Sequence, residues 1–179
     1  MNILVVTGSP RKNGNSDMFA DAFIEGAQSA GNEIRRIDAG RAAIGPCLAC
    51  EYCLENNGRC VQDDDMTAFY EDLEWAELIV YAIPMYFYTY PAQIKAFMDR
   101  QFCALGGRKF GLKKAAMLLV FEDKDISTAD GLVQSFNIAM NYCNLEVLDI
   151  IIQNGTYEAG AIAGKPGLEC AREFGASLA

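Results

Sequence analysis

Apolar residues run along this chain in short unbroken blocks, set between longer stretches where they recur every three or four positions. Residues 3–6, 78–83 and 115–121 are almost wholly apolar, as strands covered on both faces require. Residues 33–37 and 145–152 complete a set of five predicted strands. Met18, Phe19, Ala22, Phe23 and Ala27 mark one face of a helix that begins at Ser16 and ends near Gly31. Further helices are predicted over 66–75, 92–105, 132–142 and 166–178. Ile94, Phe97, Met98 and Phe102 form the apolar face of the second of these, and Pro166 takes a favoured first-turn position in the last. Apolar strands alternating with helices pair in parallel through right-handed crossovers, which predicts a three-layer α/β sandwich in one domain over 1–179. Residues 40–65 keep no period and predict a long functional loop, cysteine-rich over 41–65.

Ligands of such a sheet sit beyond the carboxyl ends of the strands, at the switch in strand order. Three loops meet that description, after Val6, Ile83 and Phe121. The first reads Gly8-Ser9-Pro10-Arg11-Lys12-Asn13-Gly14-Asn15-Ser16. A strand, tight loop and helix start aim free N–H groups and a positive helix end at one point, which suits an anion. Ser9, Asn13, Asn15 and Ser16 add short donors, and Arg11 adds a fixed charge able to pair with phosphate. G-x-G-x-x-G is absent. The Walker pattern fails as well, because Asn15 stands where its lysine belongs. A phosphomonoester is the better match, and an ordinary strand-to-helix turn with Asn15 or Ser16 as N-cap is the alternative. The second loop, Pro84-Met85-Tyr86-Phe87-Tyr88-Thr89-Tyr90-Pro91, puts four aromatics at an exposed turn. A flat heteroaromatic ring or a second subunit would cover them, with one or two folding back on the core.

Charge and composition narrow the chemistry. With 15 basic and 24 acidic residues the formal charge is −9, a field that repels nucleic acid. No apolar run spans a bilayer and no export signal precedes the first strand, so a cytoplasmic protein is expected. Histidine is absent, which removes the usual general base near neutral pH and most zinc hydrolase sites. Chemistry must come from a cofactor, a metal or cysteine. Cys103, Cys143 and Cys170 fall in helical segments and are expected as small core residues. Cys47, Cys50, Cys53 and Cys60 cluster within one loop, a spacing open to an iron–sulfur cluster, a zinc ion or free redox thiols.

Gly8-Ser9-Pro10-Arg11 with Asn13-Gly14-Asn15-Ser16, then Ile83-Pro84-Met85-Tyr86-Phe87, then Gln93-Ile94-Lys95-Ala96-Phe97-Met98-Asp99-Arg100 carry a family likeness over nearly the whole length. The chain resembles the flavodoxin-like NAD(P)H-dependent FMN reductases. That resemblance implies a flavodoxin-like sandwich of five parallel strands in the order 2-1-3-4-5. It implies FMN, with its phosphate held by Ser9, Arg11, Asn13, Gly14, Asn15 and Ser16. Pro84, Met85, Tyr86 and Phe87 would then pack along the isoalloxazine and ribityl chain, and Phe121, Glu122 and Asp123 would lie near the ring. It implies a homodimer or homotetramer as well. The third loop departs from the pattern, since many relatives carry glycines where this chain has Phe121-Glu122-Asp123-Lys124-Asp125. The cysteine spacing resembles that of the iron–sulfur flavoproteins, a branch of the same family in which four such cysteines hold a [4Fe–4S] cluster. The expected activity is electron transfer from NAD(P)H or a reduced carrier, through FMN, to a flavin, quinone or redox protein. Hydride transfer to a flavin needs no protein acid or base, in agreement with the missing histidine. A non-enzymatic electron carrier and a zinc-stapled binding module are the rival readings.

Overall fold

The computed structural model describes residues 1–178. Strands β1 (Asn2–Thr7), β2 (Glu33–Ile37), β3 (Leu78–Pro84), β4 (Lys114–Val120) and β5 (Glu146–Gln153) form one parallel sheet in the order β2-β1-β3-β4-β5. Helices α1 (Asn15–Ser29), α2 (Tyr52–Glu55), α3 (Met66–Trp75), α4 (Ala92–Asp99), α5 (Asp130–Tyr142) and α6 (Pro166–Ala176) connect them. The predicted sandwich and its strand order are both found.

Alternate residues of each central strand enter opposite cores. Leu4, Val6, Ile79, Tyr81, Ile83, Met117 and Leu119 meet Leu73 of α3, Ile94 and Phe97 of α4, and Phe136 of α5. Ile3, Val5, Leu78, Val80, Leu118 and Val120 meet Phe19 and Phe23 of α1 and Ala171 of α6. These side chains are buried, and each Val, Leu, Ile, Met or Phe among them contributes about 1.5–3 kcal/mol relative to exposure. Coverage on both faces explains why β3 and β4 read as unbroken apolar runs. Helices α1 and α6 cross closely because Gly26 and Gly175 have no side chain: a Cβ at Gly26 would collide with the Arg172 carbonyl oxygen.

Several expectations are corrected. The helix predicted over 92–105 stops at Asp99 and tightens into a 3₁₀ turn over Arg100–Gly106. That turn packs under α2, and Gly106 admits the contact, since a Cβ there would collide with the Cys53 carbonyl oxygen. The first helix begins at Asn15, with Gly14 as its cap, so neither Asn15 nor Ser16 is the N-cap. The segment 40–65 is not all loop but carries the single helical turn α2. Of the three scattered cysteines only Cys103 is buried; Cys143 and Cys170 are exposed. Helix α6 buries Gly167, Ala171 and Gly175, a face that Cys170 does not share, and Cys143 lies just past the end of α5.

Candidate functional site

The loops after β1, β2, β3, β4 and β5 emerge along one edge of the sheet. The order reverses around β1, which has β2 on one side and β3 on the other. The loop after β1 lies at this switch point. It is tied to β3 by the Gly8 amide, which donates to the Ala82 carbonyl at 3.0 Å. Gly8 and Gly40 are required by crowding: a Cβ on Gly8 would strike Ile94 and Ile83, and one on Gly40 would strike the Gly8–Ser9 backbone.

Ser9, Asn15 and Ser16 are buried, while Arg11 and Asn13 are exposed. Gly14 gives α1 no side-chain cap, and among the described residues the amides of 15–17 and the Ser16 hydroxyl have no hydrogen-bond partner. The open helix end is therefore a ready anion site. The remaining donors are differently employed. Asn13 adopts a left-handed φ of 54°, and its amide donates to Asp17 at 2.8 Å. The Asn15 side chain donates to the Glu158 carbonyl at 2.9 Å and accepts from the Ile162 amide at 3.1 Å. Its backbone amide, not its side chain, is the group left free at the helix start. The Ser9 hydroxyl accepts from the Arg11 amide at 3.2 Å, closing the loop. Arg11 reaches the Tyr157 carbonyl at 3.2 Å.

Beneath the loop lies a network that the sequence does not reveal. Arg41 donates to the Ser9 carbonyl at 3.2 Å and pairs with Asp17 at 3.2 Å and Asp38 at 2.7 Å. Arg36 bridges Asp17 at 2.9 Å and Asp38 at 3.0 Å, and the Thr7 hydroxyl donates to Asp38 at 2.7 Å. Burial opposes ionisation of Asp38, but the bonds from Thr7, Arg41 and Arg36 outweigh it and hold the carboxyl down to about 2. The two carboxylates are thus neutralised from below. Arg11 and Lys12 enter no ion pair among the described residues and stand at the loop surface. The position of Asp38 just past β2, beside β1, is the available clue; nothing local marks Arg41 or the 154–165 loop.

The second and third loops bound an open cleft of about 560 Å³, lined by Met85, Phe87, Tyr88, Phe121, Glu122, Asp123 and Lys124. Pro84 belongs to the end of β3, paired with Val120, and the loop starts at Met85. Tyr86 and Thr89 exchange backbone hydrogen bonds at 3.0 and 3.1 Å, so Phe87 and Tyr88 form the tip of a two-residue hairpin. Both have left-handed φ, 49° and 63°, a conformation that costs bulky residues about 1–3 kcal/mol each and marks functional loops. Phe87 is 95% exposed and Tyr88 63%. Tyr90 folds back into the core, as expected for one of the four aromatics. The third loop is fixed by the Thr156 amide and hydroxyl, which donate to the Phe121 carbonyl at 2.9 and 3.1 Å.

Cys47, Cys50, Cys53 and Cys60 line a separate pocket with Arg100, Phe102 and Cys103, and all are free thiols. Ala49, Glu51 and Asn57 take left-handed φ values of 50–59°, which bends the loop around that space. Burial pushes the Cys53 thiol up, and neighbouring Cys60, Cys47 and Cys50 add to the shift. A cationic cluster would reverse that repulsion. Among the described residues no group of three or more His, Cys, Asp or Glu side chains is arranged to hold a metal ion. The four thiols surround a common space, not a point.

Fold and site together define a flavodoxin-like α/β protein with an uncapped helix start at its switch point and an aromatic-walled cleft on the same sheet edge. The model of the NADPH-dependent FMN reductases matches residues 1–153, and the chain belongs to that family. It is 38% identical over 113 residues to an iron-sulfur flavoprotein of Methanosarcina thermophila, covering 63% of this chain and 58% of that relative. The chain spans about half the length of the curated relatives it matches. An NAD(P)H:quinone oxidoreductase from Methanothermobacter marburgensis superposes with a TM-score of 0.77 at 19% identity, over 99% of this chain and 96% of the other. An FMN-dependent NADH-azoreductase from Bacillus anthracis, solved with FMN, gives 0.65 at 13% identity, over 98% and 95%. These two share the fold. No helix among the described residues is long and apolar enough to cross a membrane.

Proposed function

We propose that this chain binds FMN and moves electrons from NAD(P)H or a reduced carrier to a flavin, quinone or redox-protein acceptor, with a [4Fe–4S] cluster on its four clustered cysteines. The observation that carries the reading is the presence of an uncapped helix start and an aromatic-walled cleft on one edge of the sheet, beyond the carboxyl ends of its strands. The free amides of 15–17 and the Ser16 hydroxyl would bind the phosphate, with Arg11 closing over it. Met85, Phe87 and Phe121 would wall the ring and exclude water, and Arg41 would keep the phosphate loop in shape through its carbonyl contact to Ser9. FMN, when bound, supplies a ring that accepts a hydride and releases electrons singly or in pairs. The donor set of the cysteine pocket fits an iron–sulfur cluster, with Cys47, Cys50, Cys53 and Cys60 as thiolate ligands, and such a cluster supplies a one-electron exit. Phe87 and Tyr88, exposed at the hairpin tip, are also where a second copy of the chain would add to the ring site.

Anaerobically purified protein tests this directly. FMN absorbance together with iron, and oxidation of NADH or NADPH with quinone, flavin or ferricyanide as acceptor, are expected. Electron exchange with ferredoxin but no turnover of either nicotinamide would reassign the protein as a carrier. Zinc in place of iron, without flavin, would reassign it as a metal-stapled binding module. Cys50→Ala should remove the brown absorbance and leave the yellow.

A further inference from the structure

Arg100 is the largest of the fully buried side chains, with its side chain only 1% exposed. It opens the 3₁₀ turn beneath the cysteine loop. Its Nη1 donates to Asp64 at 2.6 Å and to the Gly45 carbonyl at 3.0 Å, and its Nη2 donates to Asp64 at 3.1 Å. Asp64 is itself anchored by the Gly45 amide at 2.9 Å and the Met66 amide at 3.1 Å. The guanidinium is therefore clamped in place, and the two ends of the cysteine segment are drawn to it. One group is left over: Nε is buried and has no partner among the described residues. Buried N–H groups are almost always paired, so an orphan of this kind points to an acceptor outside the protein chain. Arg100 lines the same pocket as Cys47, Cys50, Cys53 and Cys60, where the acceptors would be cluster sulfur atoms bearing negative charge.

We propose that the Arg100 Nε–H donates a hydrogen bond to the cluster held by these four cysteines and thereby raises its reduction potential. The inference rests on the iron–sulfur reading of the cysteine pocket. Asp64 neutralises the guanidinium, so the effect is directional: an N–H aimed at sulfur stabilises the more negative, reduced cluster more than the oxidised one. Arg100 is on this account a positioning residue that tunes the cluster without binding iron. Lysine at this position keeps a cation for Asp64 but has no second N–H group where Nε stands.

The test uses anaerobically prepared holoprotein, with iron and inorganic sulfide measured first. In Arg100→Lys with full iron content, the one-electron equilibrium should shift at least about tenfold towards the oxidised cluster, a potential lower by about 59 mV. Pulsed electron paramagnetic resonance on wild-type protein labelled with guanidinium-15N arginine should show a nitrogen coupling to the reduced cluster, absent in the variant. A purely structural arginine would change stability and iron retention without that coupling. Full iron with an unchanged potential, or with no nitrogen coupling, overturns the role of Arg100 and leaves the cluster standing. Failure of the wild-type protein to take up iron overturns both. Should the variant not fold, the nitrogen coupling in the wild-type protein decides.

Discussion

The Ser16 hydroxyl belongs to the first turn of the uncapped α1, and the Arg11 guanidinium, in the loop before it, rests on the Tyr157 carbonyl. A hydrogen bond to a charged group is worth about 1.5–3 kcal/mol, so Arg11→Ala should weaken FMN binding roughly tenfold to a hundredfold. Ser16→Ala should cost about tenfold, the low end of that range, since its single hydroxyl would donate to the same charged phosphate. Fluorescence titration measures both, and urea midpoints equal to wild type would show that the fold is spared. Asp38 makes a second prediction. Its carboxyl is held below the ordinary range, so its stabilisation is complete above about pH 4 and fades as pH falls towards about 2. The stability gap between wild type and Asp38→Asn should therefore be present at neutral pH and shrink on acidification through that window, as denaturant midpoints would reveal. Ser9, Arg11 and Ser16 are legible in the sequence because polar residues in a glycine-bounded turn have a local signature. Arg41 escapes it, since its contact with the Ser9 carbonyl joins residues brought together only by β2 lying beside β1. Asn15 stands out for its side chain, yet that side chain is committed to the 158–162 backbone.

Elements are most legible where both faces are buried. β3 and β4 carry their pattern in every residue, whereas the end of α4 is set by what it packs against. No period in 92–105 distinguishes an α-helix from one that tightens after Asp99, and the close approach of Gly106 to the Cys53 backbone is a tertiary contact that no local pattern records. The residues after β3 predict an aromatic loop, but the left-handed conformation of Phe87 and Tyr88 is a feature of geometry alone. The double substitution Phe87→Asn with Tyr88→Gly should relieve strain and stabilise the protein by about 1–2 kcal/mol, while weakening flavin binding through the lost rings. Unchanged flavin affinity in that double variant would remove the hairpin from the site. At the α1–α6 crossing, Gly26→Ala forces a methyl into the Arg172 carbonyl. It should cost about 1–3 kcal/mol in chemical denaturation without altering flavin affinity in the folded fraction.

Across the whole molecule, a parallel sheet whose order reverses at β1 gathers the three predicted loops, after β1, β3 and β4, at one edge, while the cysteine pocket is lined by a separate set of residues, against the 3₁₀ turn after α4. Against the formal charge of −9, Arg36 and Arg41 pair with the carboxylates beneath the first loop, and Arg11 and Lys12 enter no ion pair among the described residues. On the proposed reading, such a charge distribution would admit a phosphomonoester at one place while repelling polyanions elsewhere. The central claim is that this edge holds FMN, and equilibrium titration of flavin-free protein with FMN under anaerobic conditions tests it most directly. Saturable, stoichiometric binding that riboflavin, lacking the phosphate, reproduces only weakly is the predicted result. Protein that stays colourless through the titration, or binds riboflavin as tightly as FMN, would contradict it.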